Sequence, residues 1–154
     1  MKDFFKNKIQ MPILNLLKEG LNPQELSKAL SLGCIIGVIP MLGTTVILCA
    51  LIAKIFKLNQ VAIQITNYAV YPLQFVLLIP FFRLGEKIFG AKEIPINISE
   101  MTELFKESPK VFMEQFLLTG LRGVVAWFIV AIPTYFLIEK ILLIILQRKV
   151  LKKR

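Results

Sequence analysis

The sequence predicts an all-α membrane protein. Its parts are broken or re-entrant helical hairpins, a C-terminal transmembrane helix and an N-terminal amphipathic helix. Three observations predict this class. Hydrophobic residues fill 56% of the 154 positions and mean hydropathy is +0.68, well above the balance of a soluble domain. Residues 29–53, 61–82 and 116–138 are apolar tracts with almost no polar face, whereas a soluble bundle needs one on each helix. The first two tracts also carry Pro or Gly in mid-course, where a plain anchor would carry leucines.

Residues 1–20 form a basic segment in which Phe5, Ile9, Ile13, Leu16 and Leu17 fall near one helical face, the pattern of a helix lying on a membrane surface. Gly20 stops it. Asn22-Pro23-Gln24-Glu25 is a helix start, with Asn22 as cap, Pro23 at the first helical position and Glu25 placed to complete a capping box. This helix is expected to run to about Val38. Gly37, Pro40 and Gly43 then break the tract, because proline donates no backbone hydrogen bond and clashes with the preceding turn. Carbonyls freed in lipid cost several kcal/mol each unless protein satisfies them. A bend packed against protein or facing a small wet cavity is therefore expected.

Thr44 and Thr45 are placed to cap a second half-helix reaching about Lys57, and Asn59 to cap the next. A second bend is expected across Asn67-Tyr68-Ala69-Val70-Tyr71-Pro72, splitting residues 61–82 into two halves. Gly90 ends that segment. Residues 91–111 are polar, with a short acidic helix from Ser99 and a further cap at Ser108-Pro109. A single membrane domain over residues 21–148 then closes with an apolar block from about Phe116 to Leu146, long enough to cross a bilayer of about 20 helical residues.

The net charge is +9, from 19 Lys and Arg against 10 Asp and Glu. Both ends are basic, most densely the tail at 149–154. Such residues favour the cytoplasmic side and anionic lipid head groups. Two crossings plus one re-entrant hairpin would put both ends on that side; which hairpin turns back is left open. No cleavable leader is read, because the first apolar run begins near residue 29 and is too long. The expected location is a multi-pass position in a membrane, with both ends on its cytoplasmic side. Nucleic acid is not an expected partner, since the basic residues form no stripe interleaved with aromatics.

Asn67 is the foremost polar residue, because an amide at membrane depth must find partners. It either meets a head group or ion at the bend or caps broken backbone. Thr44, Thr45, Gln64 and Gln74 carry the same two readings. Two converging bends would bring them into one pocket lined by Tyr68 and Tyr71. Arg122 and Arg83 are candidate anion ligands, because an Arg within or beside a membrane span is a functional hypothesis by default; the alternative is snorkelling at an interface, which suits Arg83 better. Trp127 reads as an interfacial or packing aromatic. Cys34 and Cys49 behave as small hydrophobes, and neither a metal nor a cofactor is expected. Without His, and with no nucleophile or phosphate-cradling loop at useful spacing, the chain is not read as an enzyme.

Gly33-x-x-x-Gly37-x-x-Pro40-x-x-Gly43, Asn59 after Lys57-Leu58, Asn67-x-x-x-x-Pro72 and Leu84-Gly85 resemble a bacterial membrane family catalogued as a domain of unknown function, DUF2062. The resemblance covers about residues 20–145. The family often carries Gln where Thr45 stands, and Asn-Pro-x-Thr where Asn67-Tyr68-Ala69-Val70 stands. Its domain occurs alone or fused to glycosyltransferase-like domains, which implies lipid-linked sugar chemistry by association. Two functions are carried forward. One is transport of a small solute, a lipid or a lipid-linked carrier between Pro-broken helices. The other is a non-catalytic anchor or scaffold, as a homo-oligomer or with a membrane enzyme such as a glycosyltransferase.

Overall fold

The structure, a computed structural model, describes residues 22–151 together with Met11 and Asn15. The amphipathic segment expected over residues 1–20 lies outside the described residues, apart from those two positions, as do residues 152–154 of the basic tail. The described chain is helical, with no strand: α1 (Pro23–Ile36), α2 (Thr45–Ile55), α3 (Gln60–Ile88), α4 (Ile98–Glu107) and α5 (Pro109–Leu151).

The starts follow the sequence closely. The Asn22 side chain accepts the Gln24 N–H at 3.0 Å, and Asn59 accepts that of Ala62 at 2.9 Å. Asn97 caps α4 through the Ser99 N–H, and Ser108 accepts the Val111 N–H at the head of α5. Each cap satisfies a donor that the first helical turn leaves without a partner.

The first break is present, from Gly37 to Thr44. Gly43 sits there at φ +82°, a left-handed conformation that glycine adopts without strain. Thr44 does not cap α2 through its side chain; its hydroxyl donates back to the Met41 carbonyl at 3.0 Å. The second expected bend is absent. Pro72 and Pro80 both lie inside the continuous 29-residue α3. Pro72 is exposed, so its ring projects from the unpacked side, and no residue of α3 takes the left-handed conformation that Gly43 supplies at the first break. Buried Thr66 and Asn67 before Pro72, and Gln74 after it, hold both halves of the helix to the same neighbours.

Three helices form the core. Gly33 of α1 packs on the Ile63 backbone and the Thr66 side chain, and Gly37 on the Asn67 backbone and Val70; α1 therefore runs parallel to α3. Glycines at this four-residue spacing let two helix backbones approach closely. Gly85 of α3 meets the backbone of Arg122 and Gly123, while Leu146 joins Leu26, Ala62 and Ile63 in one cluster. So α5 runs antiparallel to both. A second cluster, Ile35, Ile39, Phe81, Trp127 and Ala131, fills the other end. Helix α2 returns from the break alongside the start of α3, where Gln64 Nε2 donates to the Val46 carbonyl at 3.0 Å.

At 1.5 Å per residue α1 and α2 are about 21 and 16 Å long, short of the roughly 30 Å hydrocarbon core. Helices α3 and α5 are long and apolar enough to cross a membrane. Their outer faces carry Phe75, Val76, Phe128, Ile129, Ile132 and Phe136, all exposed.

Candidate functional site

The break is tied down from two sides. Gln74 Nε2 donates to the Ile39 carbonyl at 2.7 Å and reaches the Met41 carbonyl at 3.4 Å. Trp127 Nε1 donates to the Ile35 carbonyl at 3.2 Å. Carbonyls at the end of α1 that the helix cannot satisfy are thus met by α3 and α5, as a buried helix end requires. Trp127 is a buried strut here rather than an interfacial aromatic. Pro40 is buried and Gly43 is exposed, so the tip presents Met41, Leu42 and Gly43 outward.

The ten residues expected to form a site separate into three groups. Gly37, Pro40, Gly43 and Thr44 make the break, and Gln74 is its clasp. Asn67 and Thr45 lie deeper, fully buried. Asn67 Nδ2 donates to Gln64 Oε1 at 3.2 Å, while Asn67 Oδ1, Thr45 Oγ1 and Gln74 Oε1 are buried without a partner. Tyr71 and Pro72 face outward. Tyr68 and Tyr71 are 61% and 37% exposed, so the expected tyrosine-lined pocket does not form; without the second bend, helical periodicity turns both rings away from the packed side.

Arg122 stands apart, in a polar cleft of about 880 Å³ between the end of α3, the loop over residues 91–97, α4 and the first turns of α5. Glu100, Glu103 and Glu107 of α4 line it opposite Arg122, along with Lys92 and Thr119. Among the described residues Arg122 makes no ion pair. The other Arg expected to bind anions is already engaged. Arg83 Nη1 pairs with Glu86 at 2.8 Å and Glu93 at 3.0 Å. Glu86 is 1% exposed and its second oxygen accepts the Ile94 N–H at 2.9 Å. A buried carboxylate held by an Arg and a backbone N–H is stable only as a complete set. This cluster fixes the loop to the end of α3, which makes Arg83 a structural residue. The Arg83-x-x-Glu86 spacing, one helical turn, was the sequence signal for it.

Next to the cleft lies an apolar cavity of about 340 Å³. The break supplies Pro40, Met41 and Leu42, α3 supplies Leu78 and Phe82, and α5 supplies residues from Phe112 to Leu121. A gap of about 10 Å³, bordered by Phe112, Gln115 and Phe116, lies between cavity and cleft. Polar and apolar chambers therefore flank the same two turns of α5.

The fold and this site define a helical protein with two bilayer-length helices and a short-helix hairpin packed against them. The chain belongs to the family described as an uncharacterized protein conserved in bacteria (DUF2062), whose model matches residues 7–154. No curated protein and no solved structure matches it.

Proposed function

We propose that the chain is an integral protein of the bacterial cytoplasmic membrane that binds a lipid or lipid-linked carrier at one end of its bundle and assists its movement between leaflets. In this reading α3 and α5 cross, and α1 and α2 form a re-entrant hairpin that enters and leaves on the side of the basic termini. The observation that carries it is the clasped break, whose tip lines an open apolar cavity beside a polar cleft. Irregular backbone at membrane depth persists where protein buries it, and a cavity with both chambers suits an amphiphile.

Charge supports the orientation. Six of the 19 basic and six of the 10 acidic residues lie from Arg83 to Arg122, so that segment is neutral and the net +9 belongs to the remaining residues. The positive-inside rule counts Lys and Arg, and with 13 of those 19 outside this segment the end that bears the cleft faces outward.

Labelling of single cysteines in intact cells and inverted vesicles tests the topology, with Cys34 and Cys49 replaced by Ala. Labels at Lys57 and Arg154 are expected from the cytoplasmic side and at Gly90 from the outside. Cytoplasmic labelling at Gly90 overturns this topology. Vesicles with a fluorescent phospholipid test the activity: protein should raise the exchange rate between leaflets, and Arg122→Ala should lower it.

The scaffold reading keeps one observation in its favour. Asn67 and Gln74 point their amide donors at other protein groups, Gln64 Oε1 and the Ile39 carbonyl. Unchanged lipid exchange, together with a stable crosslinked membrane-enzyme partner, would favour that reading.

A further inference from the structure

Beside the Arg83–Glu93 pair, which also lines it, the cleft at Arg122 holds charges of both signs that make no ion pair among the described residues. Glu100, Glu103 and Glu107 follow the helical spacing of three and four residues, so they share the face of α4 that lines the cleft. Arg122 and Lys92 line the same space, and among the described residues neither makes an ion pair. Thr119, one turn before Arg122, is fully buried, lines the cleft, and keeps its hydroxyl without a partner. A helical Thr usually returns its hydroxyl proton to a carbonyl of the preceding turn, as Thr134 does to Val130. A buried hydroxyl without a partner calls for an explanation, and a ligand that completes it is one.

A simple anion attracted by Arg122 would meet three carboxylates, and a simple cation drawn to α4 would meet Arg122 and Lys92. We infer that the cleft binds a phosphate–ammonium zwitterion of the phosphoethanolamine type. Arg122 and Thr119 take the phosphate oxygens, and the α4 carboxylates take the ammonium. An Arg guanidinium matches two phosphate oxygens at once, and a primary ammonium offers three N–H donors to a carboxylate wall. This deepens the lipid-binding reading and rests on it, since it names the head group that the outward end of the bundle would meet.

Native mass spectrometry of the full-length protein in detergent tests it with three probes: dioleoylphosphatidylethanolamine, dioleoylphosphatidylglycerol and water-soluble O-phosphoethanolamine. The ethanolamine lipid should bind about tenfold more tightly than the glycerol lipid, the scale of one charge-assisted contact. The combined Glu100→Gln, Glu103→Gln and Glu107→Gln variant should lose that preference; all three positions are exposed and the variant should fold. Arg122→Gln should weaken both lipids about tenfold, and Thr119→Val should weaken both less. Equal binding of the two lipids to the wild type, or a preference that survives in the triple variant, overturns the inference. Saturable O-phosphoethanolamine binding with the same pattern of variants assigns the chemistry to a free zwitterion; binding of the lipid alone assigns it to a membrane head group. If the preference fails while Gly90 labels from outside, only the head-group assignment falls. Cytoplasmic labelling at Gly90 instead removes the topology beneath it.

Discussion

Two prolines sit in the middle of apolar tracts, and the chain treats them differently. At Pro40 it breaks and turns back; at Pro72 the helix continues. The difference lies in what accompanies each ring. Pro40 lies between Gly37, whose backbone packs on α3, and Gly43 at φ +82°, and the carbonyls around it are met by Gln74 and Trp127. Pro72 has no glycine near it and faces outward. A proline removes one hydrogen bond, but reversal needs a left-handed residue and a neighbour for the freed carbonyls.

The largest effect should come from the packing that sets the break against α3. A Cβ on Gly33 would collide with the Ile63 backbone and the Thr66 hydroxyl, and backbone cannot step aside. Gly33→Leu should cost about 3 kcal/mol or more, read as loss of the cooperative unfolding transition in detergent. Gly120 is the control, since nothing lies near its added Cβ. Gly120→Ala should be neutral or stabilise by up to about 1 kcal/mol. Equal damage at both positions would mean that close approach is not what locates the break.

Pro72→Ala sharpens the comparison from the other side. Restoring the donor within a continuous helix should stabilise by about 2 kcal/mol, with unchanged labelling at Gly90. Lost stability would show that this proline is needed where it stands. Next in size is Gln74→Leu. It keeps most of the volume but removes the clasp on Ile39 and Met41, and should cost about 1 kcal/mol, the net worth of a typical intramolecular hydrogen bond. Met41 keeps its bond from Thr44 and the Ile39 carbonyl its bond from the Met41 N–H, which is why the cost is small.

Much of the fold was legible because helix caps are local. Asn22, Asn59 and Ser108 each announce a start within three residues, and all three starts stand where the sequence put them. The first break was legible too, since Gly37, Pro40 and Gly43 act together. The second bend does not follow from Pro72 alone, because a proline removes one donor without placing any residue of α3 in the left-handed conformation. The site was legible only in pieces. Asn67 and Gln74 stand out in the sequence as amides in an apolar tract, but nothing local says that Gln74 meets Ile39, 35 positions away. Nor could spacing reveal that Arg83 is engaged by Glu93 while Arg122 is not, or that Thr119 is buried beside it. Those facts depend on how α4 and the 91–97 loop fold over the end of the bundle.

The smallest effect separates two chain reversals of the same design. At the end of α3, Gly90 has φ +58°, its N–H donates to the Lys87 carbonyl, and the Ala91 N–H donates to that of Glu86 at 2.9 Å. At the end of α2, Lys57 has φ +52°, its N–H donates to the Lys54 carbonyl, and the Leu58 N–H donates to that of Ala53 at 2.8 Å. The two turns share a Schellman pattern, but only one has the residue that adopts it without cost. Lys57→Gly should therefore stabilise by about 1 kcal/mol, and Gly90→Ala should destabilise by a similar amount. Under the proposed topology Lys57 also carries a charge on the cytoplasmic side, where it can anchor to head groups. Lys57→Asn separates the two roles, because Asn tolerates the left-handed conformation but has no charge. Equal gains from Gly and Asn would place the cost in the backbone. A loss with both, recovered with Lys57→Arg, would show that the lysine is kept for its contact with the membrane surface.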